Sequence, residues 1–143
     1  MEKEVSILDK LGVDVGAKRT HLHTLTEADI VMFSGISGDT NYIHMSEQYA
    51  KKTVFGGRIA HGIIALGWIS AALAKFPGTS IYLSQSINFL SPIRVGDSIT
   101  ATAEVIKARK DKGILTLKTT CANQKGEEVA IGEAGIRLYE APE

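Results

Sequence analysis

Asp39 and His44 stand five positions apart in Gly38-Asp39-Thr40-Asn41-Tyr42-Ile43-His44, the densest polar cluster of the chain. A carboxylate that holds one imidazole nitrogen, or shares a water with it, makes a pair able to take and give a proton near neutral pH. This spacing does not align two side chains on one helix face. In a tight loop they can still converge within a few ångströms, well inside the extended reach of roughly 17 Å. Turn chemistry alone would also explain Gly, Asp and Asn in a loop with His at the surface.

A second cluster, Arg58-Ile59-Ala60-His61-Gly62, precedes a long apolar run. If that run is a helix, free N–H groups and the positive end of its dipole collect at this point. Gly62 carries no side chain, so a substrate carbonyl can approach its N–H, the kind of fixed donor a developing enolate oxygen needs. The plainer alternative is that His61 and Gly62 begin a helix and Gly62 serves close packing. Ser70 follows on the face of Ile63 and Leu66, which predicts a buried hydroxyl bonded to a backbone carbonyl one turn back. His21 and His23 share one strand face at a spacing that can hold a metal, but with no further ligand nearby they read as exposed. Lys107, Arg109, Lys110 and Lys112, and separately Lys51, Lys52 and Arg58, read as solvated charge rather than phosphate sites. Cys121 alternates inside a strand as a small core residue. No phosphate-binding Gly loop, nucleophile elbow or Cys-x-x-Cys occurs.

Positioning these groups requires a scaffold. Lys18–Leu25 reads as a first strand, and Thr26 with Asp29 as a capping-box start for a short helix over Glu27–Ser34. Ser46–Lys52 can add a helical turn or two. The main helix is predicted over His61–Phe76, apolar nearly all round and so buried on most sides, with Gly67, Ala71 and Ala74 allowing another backbone close. Ser80–Leu90, Ser98–Arg109, Ile114–Asn123 and Glu128–Tyr139 alternate with period two and are separated by turn signals. They read as an antiparallel meander against the helix, class α+β. Such a sheet leaves edges, which a dimer would cover.

Composition narrows the classes. The chain has 143 residues, 44% hydrophobic and 22% charged, with 16 Lys+Arg balancing 16 Asp+Glu. This is one globular domain over residues 1–143, without the electrostatic footprint of a nucleic-acid or anionic-membrane binder. The uncharged stretch Ile59–Ala74 is 16 residues long, short of the roughly 18 needed for a membrane span. Met1–Gly16 lacks an apolar signal core, and a single cysteine fits a reducing, cytoplasmic setting.

The run from Phe33 to Ala72 resembles the MaoC-like, (R)-specific enoyl-CoA hydratases of the hot-dog fold. Their pattern is Gly-Asp-x-Asn-Pro-aliphatic-His followed by His-Gly opening the central helix. Here it reads Gly38-Asp39-Thr40-Asn41-Tyr42-Ile43-His44, with His61-Gly62 beginning 17 residues after His44. Phe89-Leu90-Ser91-Pro92 and Val95-Gly96-Asp97 resemble the family's strand crossover. The resemblance implies a curved antiparallel sheet wrapped around a central buried helix, and a homodimer. It implies hydration of a trans-2-enoyl-CoA to an (R)-3-hydroxyacyl-CoA with no metal or organic cofactor. Asp39 and His44 match the catalytic pair, Asn41 a residue that supports the loop, and Gly62 the donor to the thioester carbonyl. Ser70 matches a helix hydroxyl that braces the Asp, an alternative to the backbone partner. Tyr42 replaces the usual Pro, loses its fixed φ, and can reshape the acyl pocket. The substrate thioester can be carried by CoA or by an acyl-carrier protein. On the same scaffold a dehydratase acting on the carrier protein, a thioesterase releasing free thiol, and a non-catalytic acyl-CoA-binding module stand as alternatives. A sensor of the last kind would want a DNA-binding segment, for which there is no room before Lys18.

Overall fold

The computed structural model of the chain describes residues 5–143; residues 1–4, part of the stretch inspected above for a signal, lie outside the described residues. The elements run α1 (Ile7–Leu11), β1 (Lys18–Thr24), α2 (Glu27–Ser37), α3 (Tyr42–Met45), α4 (Glu47–Ala50), α5 (Ile64–Leu73), β2 (Thr79–Phe89), β3 (Ser98–Arg109), β4 (Ile114–Ala122) and β5 (Glu128–Tyr139). The strands form one antiparallel sheet in the order β1-β3-β4-β5-β2. Register shifts at Tyr82/Ser84, Val105/Lys107 and Cys121/Ala122 add the local twist that lets a sheet curve. The sheet wraps α5, which touches β1, β2, β3 and β4. This is the expected hot-dog architecture.

Alternation dictates the core. Along β4, Leu115, Leu117, Thr119 and Cys121 are all buried, on the face that period two assigns them. Ala101 and Ala103 of β3 and Ala134 of β5 join the same cluster as Trp68, Ile69 and Leu73 of α5. Small strand residues opposite large helix residues let the helix approach closely at interior packing density. Each fully buried Leu or Ile contributes about 2 kcal/mol of transfer free energy.

Several expectations need correction. The strands are not one meander: β3-β4-β5 is, but β2 returns to the free edge of β5 and β1 to that of β3. Closing the sheet around α5 requires the strands that flank the helix in sequence to lie at opposite edges. α1 falls within the stretch noted only for its lack of an apolar signal core, and is capped by Ser6 and by Gly12. α2 continues past Ser34 to Ser37, because the left-handed stop is Gly38 (φ 79°) and not Gly35. The capping box of Thr26 and Asp29 is present as expected.

The main helix is shorter than His61–Phe76. Its entry is bonded three residues back, Ile64 N–H to the His61 carbonyl and Ala65 N–H to that of Gly62, and its exit repeats the pattern at Lys75 and Phe76. Both ends are therefore tight turns of 3₁₀ type. The helix is buried on most sides as expected, but not all round: Ile63, Gly67, Ser70 and Ala74 form an exposed strip, the side toward which the small residues permit another backbone to come. Among the described residues no helix is long and apolar enough to cross a membrane.

Gly38 is the swivel from α2 into the loop that carries Asp39. A Cβ there would meet nothing within 4 Å, so Gly38→Ala bears only the left-handed backbone penalty. Urea unfolding should show a loss of about 1–2 kcal/mol with an unchanged m-value.

Candidate active site

His44 is not in a loop. Asn41 caps a single helical turn, its side-chain oxygen accepting the Ile43 N–H at 3.2 Å, and His44 lies within that turn. The turn follows directly on the Gly38–Asn41 connection, so Asp39 and His44 meet across a helix start. The Asp39 carboxylate accepts the Asn41 N–H at 3.3 Å, and the Asp39 N–H donates to Ser37 Oγ at 3.1 Å. Asp39 is exposed, whereas His44 is buried, with only 9% of its surface accessible.

The His44 ring is set by Ile59. Its Nδ1 lies 2.8 Å from the Ile59 carbonyl, which only accepts, so Nδ1 carries the proton and Nε2 keeps its lone pair. The Ile59 N–H returns a bond to the Ile43 carbonyl at 3.3 Å, and the Ala60 N–H donates to the Ile93 carbonyl at 2.7 Å. The segment leading into α5 is thus tied on one side to α3 and on the other to the loop before β3.

His61 is where the structure goes beyond the motif reading. It is 1% exposed and stacked on His44 with ring centroids 3.9 Å apart; Phe33 lies at 4.8 Å. Its Nε2 is 2.9 Å from the Asp39 carbonyl and 3.1 Å from Ser34 Oγ, whose hydroxyl donates to Met45 Sδ at 2.9 Å. Nδ1 of His61 is buried with no hydrogen-bond partner among the described residues, an omission costing about 1–3 kcal/mol. One ligand atom each of Asp39, His44 and His61 lie within 4.8 Å of one another. That spacing suits a shared water, and it would also admit a metal ion.

These residues line a cavity of about 520 Å³ together with Phe55, Ile59, Ala60, Gly62, Phe89, Leu90 and Pro92. The walls are apolar and the few polar atoms gather at one place, the usual character of a small-molecule site. Gly62 lies against the Phe89 ring, and a Cβ there would stand 3.1 Å from its Cδ1. Among the described residues no acceptor takes the Gly62 N–H.

Arg58 is not the solvated charge its sequence neighbours suggest. Its guanidinium pairs with Glu27 of α2 and bonds Glu47 of α4 at 3.4 Å and the His44 carbonyl at 3.4 Å. The hydrogen bond from Arg58 holds the Glu27 carboxyl below its usual range. This staple joins three helices around the site; no local spacing signals it, since its partners lie 31 and 11 residues away.

Other expectations are corrected. Among the described residues Ser70 makes no hydrogen bond to Asp39, and Ser70 is not buried: it shares a face with Ile63 as expected, but that face is the open strip of α5. Tyr42 does not shape the cavity, being 66% exposed with its ring edge-on to Tyr49. His21 and His23 are half-buried rather than exposed. His23 Nε2 lies 2.7 Å from Asp29 Oδ2 and the His23 ring stacks on Trp68. Burial raises the Asp29 carboxyl, but hydrogen bonds from His23 and Thr26 outweigh it and leave the group below its usual range. Cys121 is fully buried as expected, and burial pushes its thiol up to about 11.

Known proteins resemble this chain over most of its length. The family model described as "MaoC like domain" matches residues 12–126. An (R)-specific enoyl-CoA hydratase of Rhodospirillum rubrum is 45% identical over 117 residues, covering 80% of this chain and 81% of that protein. One of the same name from Aeromonas caviae is 37% identical over 128 residues, 88% of this chain and 96% of that protein. The solved structure of an unliganded R-hydratase from Pseudomonas aeruginosa superposes with a TM-score of 0.83 at 37% identity, covering 90% of this chain and 83% of that one.

Tyr42 opens α3 behind an extended Asn41 (φ −54°, ψ 132°), a backbone that accepts a following proline, and a first-turn N–H has no helical acceptor to lose. Tyr42→Pro should therefore fold normally, with a melting temperature equal to or above that of the parent.

Proposed function

The chain belongs to the MaoC-like domain family, and on that footing we propose that it is an (R)-specific enoyl-CoA hydratase, a hydro-lyase that reversibly adds water to a trans-2-enoyl-CoA. One observation carries the site assignment: the Asp39 carboxylate and the His44 imidazole converge on the cavity whose wall holds the Gly62 N–H.

In the hydration direction, Asp39 and His44 hold one water between carboxylate oxygen and the unprotonated Nε2. The water oxygen forms a bond to C3 of the enoyl group and gives up a proton to the pair, and the pair then passes that proton to C2 as the enolate-like species collapses. Electron density displaced from the double bond passes through the thioester carbonyl oxygen. The Gly62 N–H, at the positive end of α5, meets that oxygen as it becomes enolate-like. The two groups share one water and act as a unit. Asn41 contributes by capping the turn that aims His44. The thioester is the electron sink and water the nucleophile, so the chemistry calls for no cofactor.

The assembly we propose is a homodimer in which the outer edge of β2 meets a second copy. β2 is an edge strand, and Ile81, Leu83 and Phe89 on it are all half exposed, the condition that strand pairing relieves. A single domain spanning the chain and a cytoplasmic setting complete this reading; a buried, unpaired Cys121 is at home where thiols stay reduced.

Loss of the ultraviolet absorbance of the conjugated enoyl thioester is expected with C4, C6 or C8 trans-2-enoyl-CoA, and chiral analysis should give the (R) alcohol. Asp39→Asn and His44→Ala should each lower kcat at least about a hundredfold with unchanged circular dichroism. Near-normal hydration of crotonyl-CoA by either variant would refute the dyad. Release of free thiol without hydration would instead identify a thioesterase.

Gly62→Ala tests the donor separately. Its Cβ crowds Phe89 and obstructs the approach to the N–H, so kcat/KM should fall about tenfold or more, within the range for disturbing one oxyanion donor. Adding Phe89→Ala should recover part of that loss.

A further inference from the structure

We infer that His61 is a positioning residue for the reaction, setting the separation of Asp39 and His44 by gripping the main chain of one and the ring face of the other. The inference rests on the hydratase reading above. It assigns a role to a residue that otherwise only opens a helix.

Asp39 is poorly held by its own surroundings. It follows Gly38, whose left-handed backbone ends α2, and its side chain and N–H bond only to Asn41 and Ser37, each two residues away. Its carbonyl alone is tied to a distant part of the chain, by His61 across 22 residues at 2.9 Å. Because that carbonyl can only accept, Nε2 of His61 carries the proton, and Ser34 Oγ shares it at 3.1 Å while donating onward to Met45 Sδ. The opposite coordinate of the pair is set by contact. The His44 ring rests against that of His61 at a tilt, 3.9 Å between centroids and 31° between planes, while its Nδ1 is anchored to Ile59 two residues before His61.

His61 therefore touches both partners and belongs to neither of their segments. It sits next to Gly62 in the same tight turn at the entry of α5, so one rigid turn presents the donor to the thioester and the grip on the water-binding pair. A packing role alone would be met by any apolar ring of similar size. The orphaned Nδ1 argues against that alternative: a buried polar atom without a partner is a defect a Phe would not have. What the imidazole has and Phe lacks is the Nε2 donor to Asp39.

The test compares His61→Phe, which keeps the ring and loses the donor, with His61→Gln, whose amide nitrogen falls near the place of Nε2. With crotonyl-CoA and the full chain, the Phe variant should fold normally by circular dichroism. Its kcat should drop about tenfold to a hundredfold, the scale of an ångström-sized misplacement, with KM changed less than about threefold. The Gln variant should regain a substantial part of the lost kcat. A folded Phe variant within twofold of the parent overturns the inference, as does a Gln variant no better than Phe. Long-range ¹H–¹⁵N spectra of the imidazoles in the parent protein supply a readout independent of turnover and of variant folding. They should show His61 as the Nε2–H tautomer and His44 as the Nδ1–H tautomer, and the reverse tautomer at His61 overturns the proposal. A parent chain that hydrates no enoyl thioester removes the hydratase reading instead, while the tautomers still report on the grip itself.

Discussion

The hydrogen bond from His44 Nδ1–H to the Ile59 carbonyl is the joint on which the site depends. It does three things with one proton. It fixes the ring plane, it leaves the lone pair on Nε2, and it fastens α3 to the segment that enters α5. A carbonyl is a suitable partner because it has no proton to offer, so the tautomer is not open to exchange. The return bond from Ile59 N–H to Ile43 makes the joint two-point, and a two-point joint resists rotation as well as separation.

That joint works only because Ile59–Gly62 is itself immobile, and its immobility comes from the core. α5 buries Ala65, Trp68, Ile69, Ala72 and Leu73 against the curved sheet, and the Ala60 N–H is bonded to the loop before β3. Apolar burial is non-directional and positions nothing finely by itself. It does hold the helix axis, and the short-range hydrogen bonds at its entry then convert that fixed axis into fixed atoms. Arg58 extends the same logic outward by joining α2, α3 and α4 through Glu27, the His44 carbonyl and Glu47. Such pairs contribute little when fully solvated. Here a guanidinium only 17% exposed holds carboxylates from two elements.

The polar and apolar parts of the cavity divide the labour. Its acid–base groups and bared N–H lie together, while Phe55, Phe89, Leu90 and Pro92 offer a surface for carbon chains and lower the local dielectric. In such a setting a fixed donor acts more strongly on developing charge than it would in water. The close approach of Phe89 to Gly62 ties the two parts together, because a Cβ at this position would crowd the aromatic wall.

The sequence alone determined what alternates and what turns. β3 and β5 follow from period two, the α2 start from its capping box, and Cys121 from its place in a strand, all of which are local steric and hydrogen-bonding preferences. It also carried Gly38-Asp39-Thr40-Asn41-Tyr42-Ile43-His44 and His61-Gly62, and so the groups that can do chemistry. It could not place β2 beside β5, expose Ser70, stack His61 on His44, or turn Arg58 inward to two acids. Each of these depends on which segments meet after the sheet closes round the helix, and contacts between residues several turns or more apart leave no period in the chain. Tertiary structure decided them because only burial against a particular neighbour distinguishes one face of a helix, or one edge of a strand, from another.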